Sequence, residues 1–299
     1  MRKLYLLLLM LAASAIGYSQ QLHFMSQYLQ HNAMYNPAAA GITEQSKVGL
    51  AYRNMWSSFP GNPRTYMVFG DFALNKLNAG LSTYIYRDET GPTSRTGLQL
   101  GYSYHVKTGA KGKLGLGLEV RALQYAVDKN KLSDALGAGD PLLGGKNKKI
   151  GIDAGAGVYW TNQSLSIGAA VSQLIQSKLE LTNAPGASES GRLYRHFVFM
   201  GSYRIPTGND IYIIPNAMAR VIAHSPSEFD MGAKLDYQDK IWWGLNWRVE
   251  QSWSIQAGFK IFDRARLSYS YDYYEAPISV YAGGTGAHEI SLIVDLKKK

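Results

Sequence analysis

Side chains able to attack, exchange a proton or hold a metal are few in this chain, and their spacing builds nothing. There are six histidines, His23, His31, His105, His196, His224 and His288, and no cysteine. Asp140 with His196, or Glu228 with His224, could form a hydrolytic dyad on an outer rim, but spacing alone orients neither carboxylate on its imidazole. No Gly-x-Ser-x-Gly elbow, His-Glu-x-x-His helix or glycine-rich phosphate loop occurs. Histidines held in hydrogen bonds are the simpler reading, so the chain is expected to be no enzyme and to carry no cofactor and no metal. The missing cysteine also excludes disulfides, thiolate–metal frameworks and a lipid-anchored lipoprotein, which needs a cysteine at its mature N-terminus.

The remaining ionisable residues have another use. Arg53, Glu119, Arg121, Asp153, Arg220, Lys234, Asp236, Arg248, Glu250, Lys260 and Asp272 are mixed in sign and interleaved with Gly and Ser. In a low-dielectric interior such charges must pair. Glu119, Arg121, Arg220, Arg248 and Asp272 are therefore expected to line a lumen, bonded across it or to something filling it. The net charge is +9, but its Lys and Arg are scattered singly rather than gathered in a patch, which argues against nucleic acid as a partner.

The elements that would position these charges are short segments alternating apolar and polar residues, about fourteen of them. Trp253, Ile255, Ala257, Phe259 and Ile261 share one face of a strand, and Ser252, Ser254, Gln256, Gly258 and Lys260 the other. Leu267, Tyr269, Tyr271 and Tyr273 oppose Arg266, Ser268, Ser270 and Asp272, and Ile290, Leu292, Val294 and Leu296 close the series. Period two without a long apolar run points to an all-β transmembrane barrel of about 14 antiparallel strands in a Gram-negative outer membrane, facing the lipid bilayer with its apolar side chains.

Three further patterns agree. Arg2 and Lys3 precede an apolar run, Leu4 to Ile16, too short to span a bilayer and fit for a signal peptide over residues 1–19, cleaved after Ser19. Connections alternate in length, as barrels with short periplasmic turns and long external loops require. The tight ones are Leu74 to Lys76, Thr108 to Lys111, Asn162-Gln163, Pro206 to Asp210, Gln238-Asp239 and Asp263-Arg264. The long ones are Asn54 to Pro63, Arg87 to Thr93, Val127 to Lys149, Leu174 to Gly191, His224 to Ser227 and Glu275 to Thr285; Glu250-Gln251 is short despite its parity. Tyr84, Tyr86, Tyr102, Tyr104, Tyr159, Trp160, Tyr203, Tyr237, Trp242, Trp243, Trp247, Tyr273 and Tyr274 fall where strands should end, the place of interfacial girdles. A soluble sandwich would use the same aromatics to fill a core, but would make both the signal peptide and the loop asymmetry coincidences.

Fourteen strands enclose more space than wall side chains can fill. Residues 20–45 are expected to form an N-terminal plug-like segment ahead of a barrel over residues 46–299. The stretch Gln21 to Ile42 lacks alternation and ends in Asn36-Pro37-Ala38-Ala39-Ala40-Gly41, where Pro37 forces Asn36 out of the helical region and Gly41 permits a left-handed turn into the first strand. Arg53-Asn54-Met55-Trp56 reads as a strand end, with Arg53 paired inside and Trp56 at headgroup level.

These motifs give the chain a resemblance, nearly end to end, to the PorP/SprF family of the type IX secretion system and its gliding machinery. Phe24-Met25-Ser26-Gln27-Tyr28 and Tyr35 to Gly41 match the family's opening, with Gln27, Tyr28, Asn36, Pro37 and Gly41 its marked positions. Tyr52-Arg53-Asn54-Met55-Trp56 follows, Met55 standing where glutamine is usual, then Pro63, Thr65, Asp71, and Asp88 with Gly91-Pro92. Gly139-Asp140-Pro141, Asp153 to Tyr159, Arg195-His196 and Gly286 to Ile290 complete the order. The resemblance implies a barrel that binds, helps export or anchors secreted adhesin-like substrates at the cell surface. Its implied partners are the C-terminal sorting domain of those substrates and other secretion components of periplasm and outer membrane. The alternative is a fatty-acid-transporter-like barrel, which also opens with Asn-Pro-Ala and would need an apolar lumen and a wall gap; Pro215 is the residue that could open one.

Overall fold

The computed structural model describes residues 25–58, 60–131, 146–178, 192–222, 225–281 and 286–296. The signal peptide expected at 1–19, Asp140 and His224 lie outside them. The strands are β1 (Lys47–Met55), β2 (Arg64–Leu74), β3 (Ala79–Thr90), β4 (Thr93–Thr108), β5 (Gly112–Asp128), β6 (Lys146–Thr161), β7 (Leu165–Ser172), β8 (His196–Tyr203), β9 (Ile205–Gly208), β10 (Ile211–Ile222), β11 (Glu228–Tyr237), β12 (Ile241–Arg248), β13 (Ser252–Ile261), β14 (Ala265–Tyr274) and β15 (Ala287–Asp295). Each pairs antiparallel with its neighbours, and β1 pairs with β15 from Lys47↔Asp295 to Met55↔Ala287, which closes the sheet. Strands β8 and β9 both pair with β10 and act as one strand interrupted at Arg204, so the barrel has 14 staves. Closure leaves no free edge, the condition for a sheet in lipid.

Alternation sets which face meets lipid. Ile255 is 64% exposed while Ser254 is 4% exposed, and the same contrast separates Ile290 from Glu289. Met25 to Ile42 packs inside, as short helical turns whose Ala, Met and Tyr side chains are buried. These form an apolar core with Met67, Phe69, Tyr84, Val198, Met200, Met218 and Ile293. Its helical turns put apolar side chains against inward apolar positions, and backbone groups meet the wall's polar ones.

Several expectations change. Arg87 to Thr93 is no long loop: β3 and β4 stay paired to Thr90↔Thr93, and only Gly91-Pro92 turn the chain. Strands β5 and β6 pair as far as Asp128↔Lys146, taking only the two ends of the loop expected over Val127 to Lys149. Pro206 lies in β9, leaving Asn209-Asp210 as the turn. The aromatics divide: Tyr102, Tyr104, Tyr203, Tyr237, Trp243 and Tyr273 are exposed, but Tyr84, Tyr159, Trp242 and Tyr274 are buried. Parity decides, since an aromatic on an inward position serves the core whatever its distance from the strand end. Trp56 packs toward an inward aromatic. Its φ of 52° turns it back over the lumen, its ring 6.0 Å from that of the buried Tyr274.

Candidate functional site

The site is the contact between the N-terminal segment and the inner wall, and it has two halves. On the seam half, Arg53 of β1 projects inward and is 1% exposed. Its guanidinium donates to Asp272 Oδ2 at 2.5 Å and to Glu289 Oε2 at 3.0 Å, joining β1 to β14 and β15. Ser26 enters the same cluster. Its hydroxyl donates to Asp272 (2.6 Å) and accepts from Arg53 (2.7 Å), while its N–H and that of Gln27 donate to Glu289 at 2.7 and 3.2 Å. Gln256 donates to Ser26 O at 2.9 Å. A cation, two carboxylates and a chain of donors thus meet in a place closed to solvent, the setting in which a buried ion pair depends on such donors.

On the opposite half the segment lies against bare backbone. Asn36 donates to Val158 O (2.9 Å) and Ala169 O (3.3 Å), and its Oδ1 accepts from Ala38 N (3.0 Å), capping the turn that begins at Pro37. Ser103 donates to Ala38 O at 2.9 Å, His105, as the Nε2–H tautomer, to Ala40 O at 2.9 Å, and Gly41 N to Asp71 at 2.6 Å. Such closeness requires glycine. A Cβ at Gly80 would stand 2.0 Å from Ala40 O, at Gly115 2.1 Å from Ala38 O, at Gly117 2.1 Å from Ala38 N, and at Gly157 2.2 Å from Asn36 Oδ1. Gly41 has φ +62° and would itself collide with Gly80, so left-handed backbone and close approach coincide there. Asn36→Ala removes three hydrogen bonds worth about 1 kcal/mol each. The expected result is a lower midpoint in urea unfolding of the detergent-solubilised barrel, while Asn54→Ala, at a strand end, moves it far less.

The middle of the lumen is polar and paired. Glu119 accepts from Arg121 (2.6 Å) and Gln99 (2.6 Å), and Arg121 and Gln99 both donate to Met34 O at 3.2 Å. Arg220 pairs with Glu228, Arg248 with Asp230 at 3.0 Å, and Lys234 with Asp236 at 2.8 Å. Tyr28 donates to Asn216, which also accepts from Asn246. A cavity of about 210 Å³ remains toward the end that bears both barrel termini, lined by Asn32, Lys47, Asp71, Ser202 and Lys234 among others.

The structure therefore brings Arg53, Asp272, Glu119 and Arg121 into contact with Tyr28, Asn36, Gly41 or their neighbours, while Arg220 and Arg248 pair between strands. Pro37 starts the docked turn. Asn54 instead bonds Asn62, Asp88 accepts from Thr65 at 2.9 Å, and Gly91 N donates to Gly61 O at 2.8 Å, tying the outer ends of two hairpins; Pro92 O accepts from Asp128 N at 2.8 Å. The sequence reading gave Ser26 and Gly157 only as members of longer motifs and passed over Gln99, Ser103, Gly80, Gly115 and Gly117. Their signal was present, because glycine recurring at inward positions of well-alternating strands marks the approach of another backbone.

A family model described as "Type IX secretion system membrane protein PorP/SprF" matches residues 17–294. Among solved structures, a CymD monoaromatic hydrocarbon channel is 10% identical with a TM-score of 0.51, over 92% of each chain. The outer membrane protein Omp33 of Acinetobacter baumannii is 9% identical (TM-score 0.48, 84% of this chain and 98% of that one). A FadL homologue of Pseudomonas aeruginosa is 12% identical (TM-score 0.47, 88% and 93%). At such identities the likeness is one of fold, an outer-membrane barrel. No curated protein sequence matches.

Proposed function

Because the chain belongs to the PorP/SprF family of type IX secretion system membrane proteins, we propose that it is a sealed barrel that holds specific secreted substrates at the cell surface through its external rim, rather than passing them through its lumen. One observation carries this reading. The lumen is occupied from Met25 to Ile42 by a segment bonded to β1, β4, β5, β6, β13, β14 and β15, with a cavity of about 210 Å³ beside it. A folded domain cannot cross such a channel. The segment acts as the plug, and recognition falls to the external connections, since the wall is constrained by lipid. The partner we assign to that rim is the C-terminal sorting domain of an adhesin-type substrate, with other components of the secretion machine in contact from the periplasm.

Among the described strands β5 and β6 have 17 and 16 residues where about 10 span the membrane, so their hairpin extends beyond it. Replacing residues 132–145 with a short Gly-Ser linker keeps every described β5–β6 pair and should release the substrate into the medium while heat-modifiable migration of the barrel is unchanged. Surface retention equal to wild type sinks the proposal. The transporter alternative makes the opposite demand, an apolar lumen. Pro215 does lie opposite the interruption between β8 and β9, but on the exposed face, while the cavity inside the barrel, which its neighbour Ile214 helps to line, is bordered by Lys47, Asp71 and Lys234.

A further inference from the structure

The barrel wall has a step beside β6. Strand β5 stays paired with β6 out to Asp128↔Lys146, whereas β7 pairs with it only from Ala156↔Val171 to Thr161↔Ser166. Above Ala156, the side of β6 that looks toward β7 is met first by the connection leaving β7: Leu174 N donates to Ala154 O at 2.9 Å and Ser177 Oγ to Ile152 O at 2.5 Å. There the cover ends among the described residues. Alternate residues of an antiparallel strand turn both backbone groups to the same neighbour. Ala154 and Ile152 face the β7 side, so Ile150 and Lys148 do too, and Lys146 above them. The N–H and C=O groups of Ile150 and Lys148 on that side meet no backbone partner among the described residues. This edge stands in water. At about 3.3 Å per residue Lys148 lies about 40 Å along the strand from Trp160, which bonds Thr108 at the inner end. A strand tilt of about 40° leaves about 30 Å of that as height, the full hydrocarbon thickness.

We infer that this outer edge of β6 holds the retained substrate by strand addition, an extended acidic segment of the substrate pairing with Ile150, Lys148 and Lys146. The inference rests on the reading that the external rim retains a substrate, and it names the place and the mode. Backbone bonds along an open edge give affinity to any extended chain, so side chains must supply the choice. Lys148 and Lys149 are both exposed and, being consecutive, stand on opposite faces of the strand. Their partners on β5 are Ala126 and Tyr125, which offer them no carboxylate directly across. An added strand therefore meets a cation on either face, and acidic residues on it find opposite charge at cross-strand distance. The same two lysines keep a second copy of this edge away, since like charges would face each other, and so leave it open to a partner of the other sign.

The test uses the full-length protein in secreting cells whose own copy has been deleted, and follows the surface protein that the deletion releases into the medium. Lys148→Pro and Ile150→Pro each remove an N–H aimed at the open edge, while the bonds to β5 come from the intervening residues and survive, as proline at a strand edge allows. Ile150→Thr keeps the N–H and is the matched control. Either proline is expected to raise the fraction of substrate in the medium at least tenfold over wild type, with Ile150→Thr at the wild-type level. The double change Lys148→Glu, Lys149→Glu should raise it at least fivefold. Heat-modifiable migration checks that every variant is folded. Wild-type retention by both proline variants, when the linker in place of residues 132–145 does release the substrate, overturns strand addition and leaves the rim reading standing. Wild-type retention by the linker variant as well overturns both. Equal release by Ile150→Thr and Ile150→Pro also overturns strand addition, because the side chain and not the backbone edge would then be what is recognised.

Discussion

Arg53→Met is expected to destabilise the barrel by about 3–5 kcal/mol, because it leaves Asp272 and Glu289 buried side by side without their cation. The two carboxylates are 0% exposed, and the remaining donors are the hydroxyl and N–H of Ser26 and the N–H of Gln27. Chemical unfolding in detergent, followed by tryptophan fluorescence, reads the loss. The triple variant Arg53→Met, Asp272→Asn, Glu289→Gln should recover a large part of it, since neutral amides carry no unpaired charge into the low dielectric. Arg53→Lys should fall between, for a single ammonium lacks the planar fork that reaches Asp272, Glu289 and Ser26 together. Equal stability of Arg53→Met and wild type would mean that the cluster is hydrated and contributes little.

The second large effect concerns permeability. Gly117→Val places a branched side chain where a Cβ alone would stand 2.1 Å from Ala38 N and 2.4 Å from Pro37 C. Neither atom can give way, as both belong to the backbone of the docked turn. The segment from Asn36 to Gly41 is expected to leave the wall, and the barrel to become a channel. Planar-bilayer conductance should rise from near background to a steady open level, and cells should take up bulky antibiotics they otherwise exclude. Gly201→Ala is the matched control, because the nearest atom to its added Cβ is at 3.6 Å, an ordinary contact. A closed Gly117→Val channel would show that the lumen is sealed by something other than this segment.

Much of this molecule can be read from its chain, and the limits have physical causes. Period-two alternation gives strands and their faces, because lipid and lumen impose opposite demands on neighbouring residues. Strand length is less legible: β3 and β4 run on past the membrane to Gly91-Pro92, where water makes no demand on side-chain polarity and pairing continues on backbone bonds alone. Charges such as Arg53 and Asp272 announce that they must be paired, but 219 residues separate them, and only closure of the sheet names the partner. The aromatics misled because girdle and core use the same residue types. Glycine misled for the reverse reason, since in a strand it looks like weakness until a second backbone is found lying on it.

The carboxylates that hold Ser26 and Gln27 come from the far end of the chain: Glu289 lies 263 residues from Ser26, and Asp272 lies 246. An unfinished sheet, with β14 and β15 still to be inserted, offers Ser26 neither carboxylate. The N-terminus, made first, must therefore be fixed last. Assembly of this protein has an order built into its electrostatics, in which joining the last strand to the first completes the cage and, in the same event, creates the anchor for what lies within it. A barrel truncated before Glu289 would lose more than its final stave, for its interior would have nothing to recognise as its own beginning.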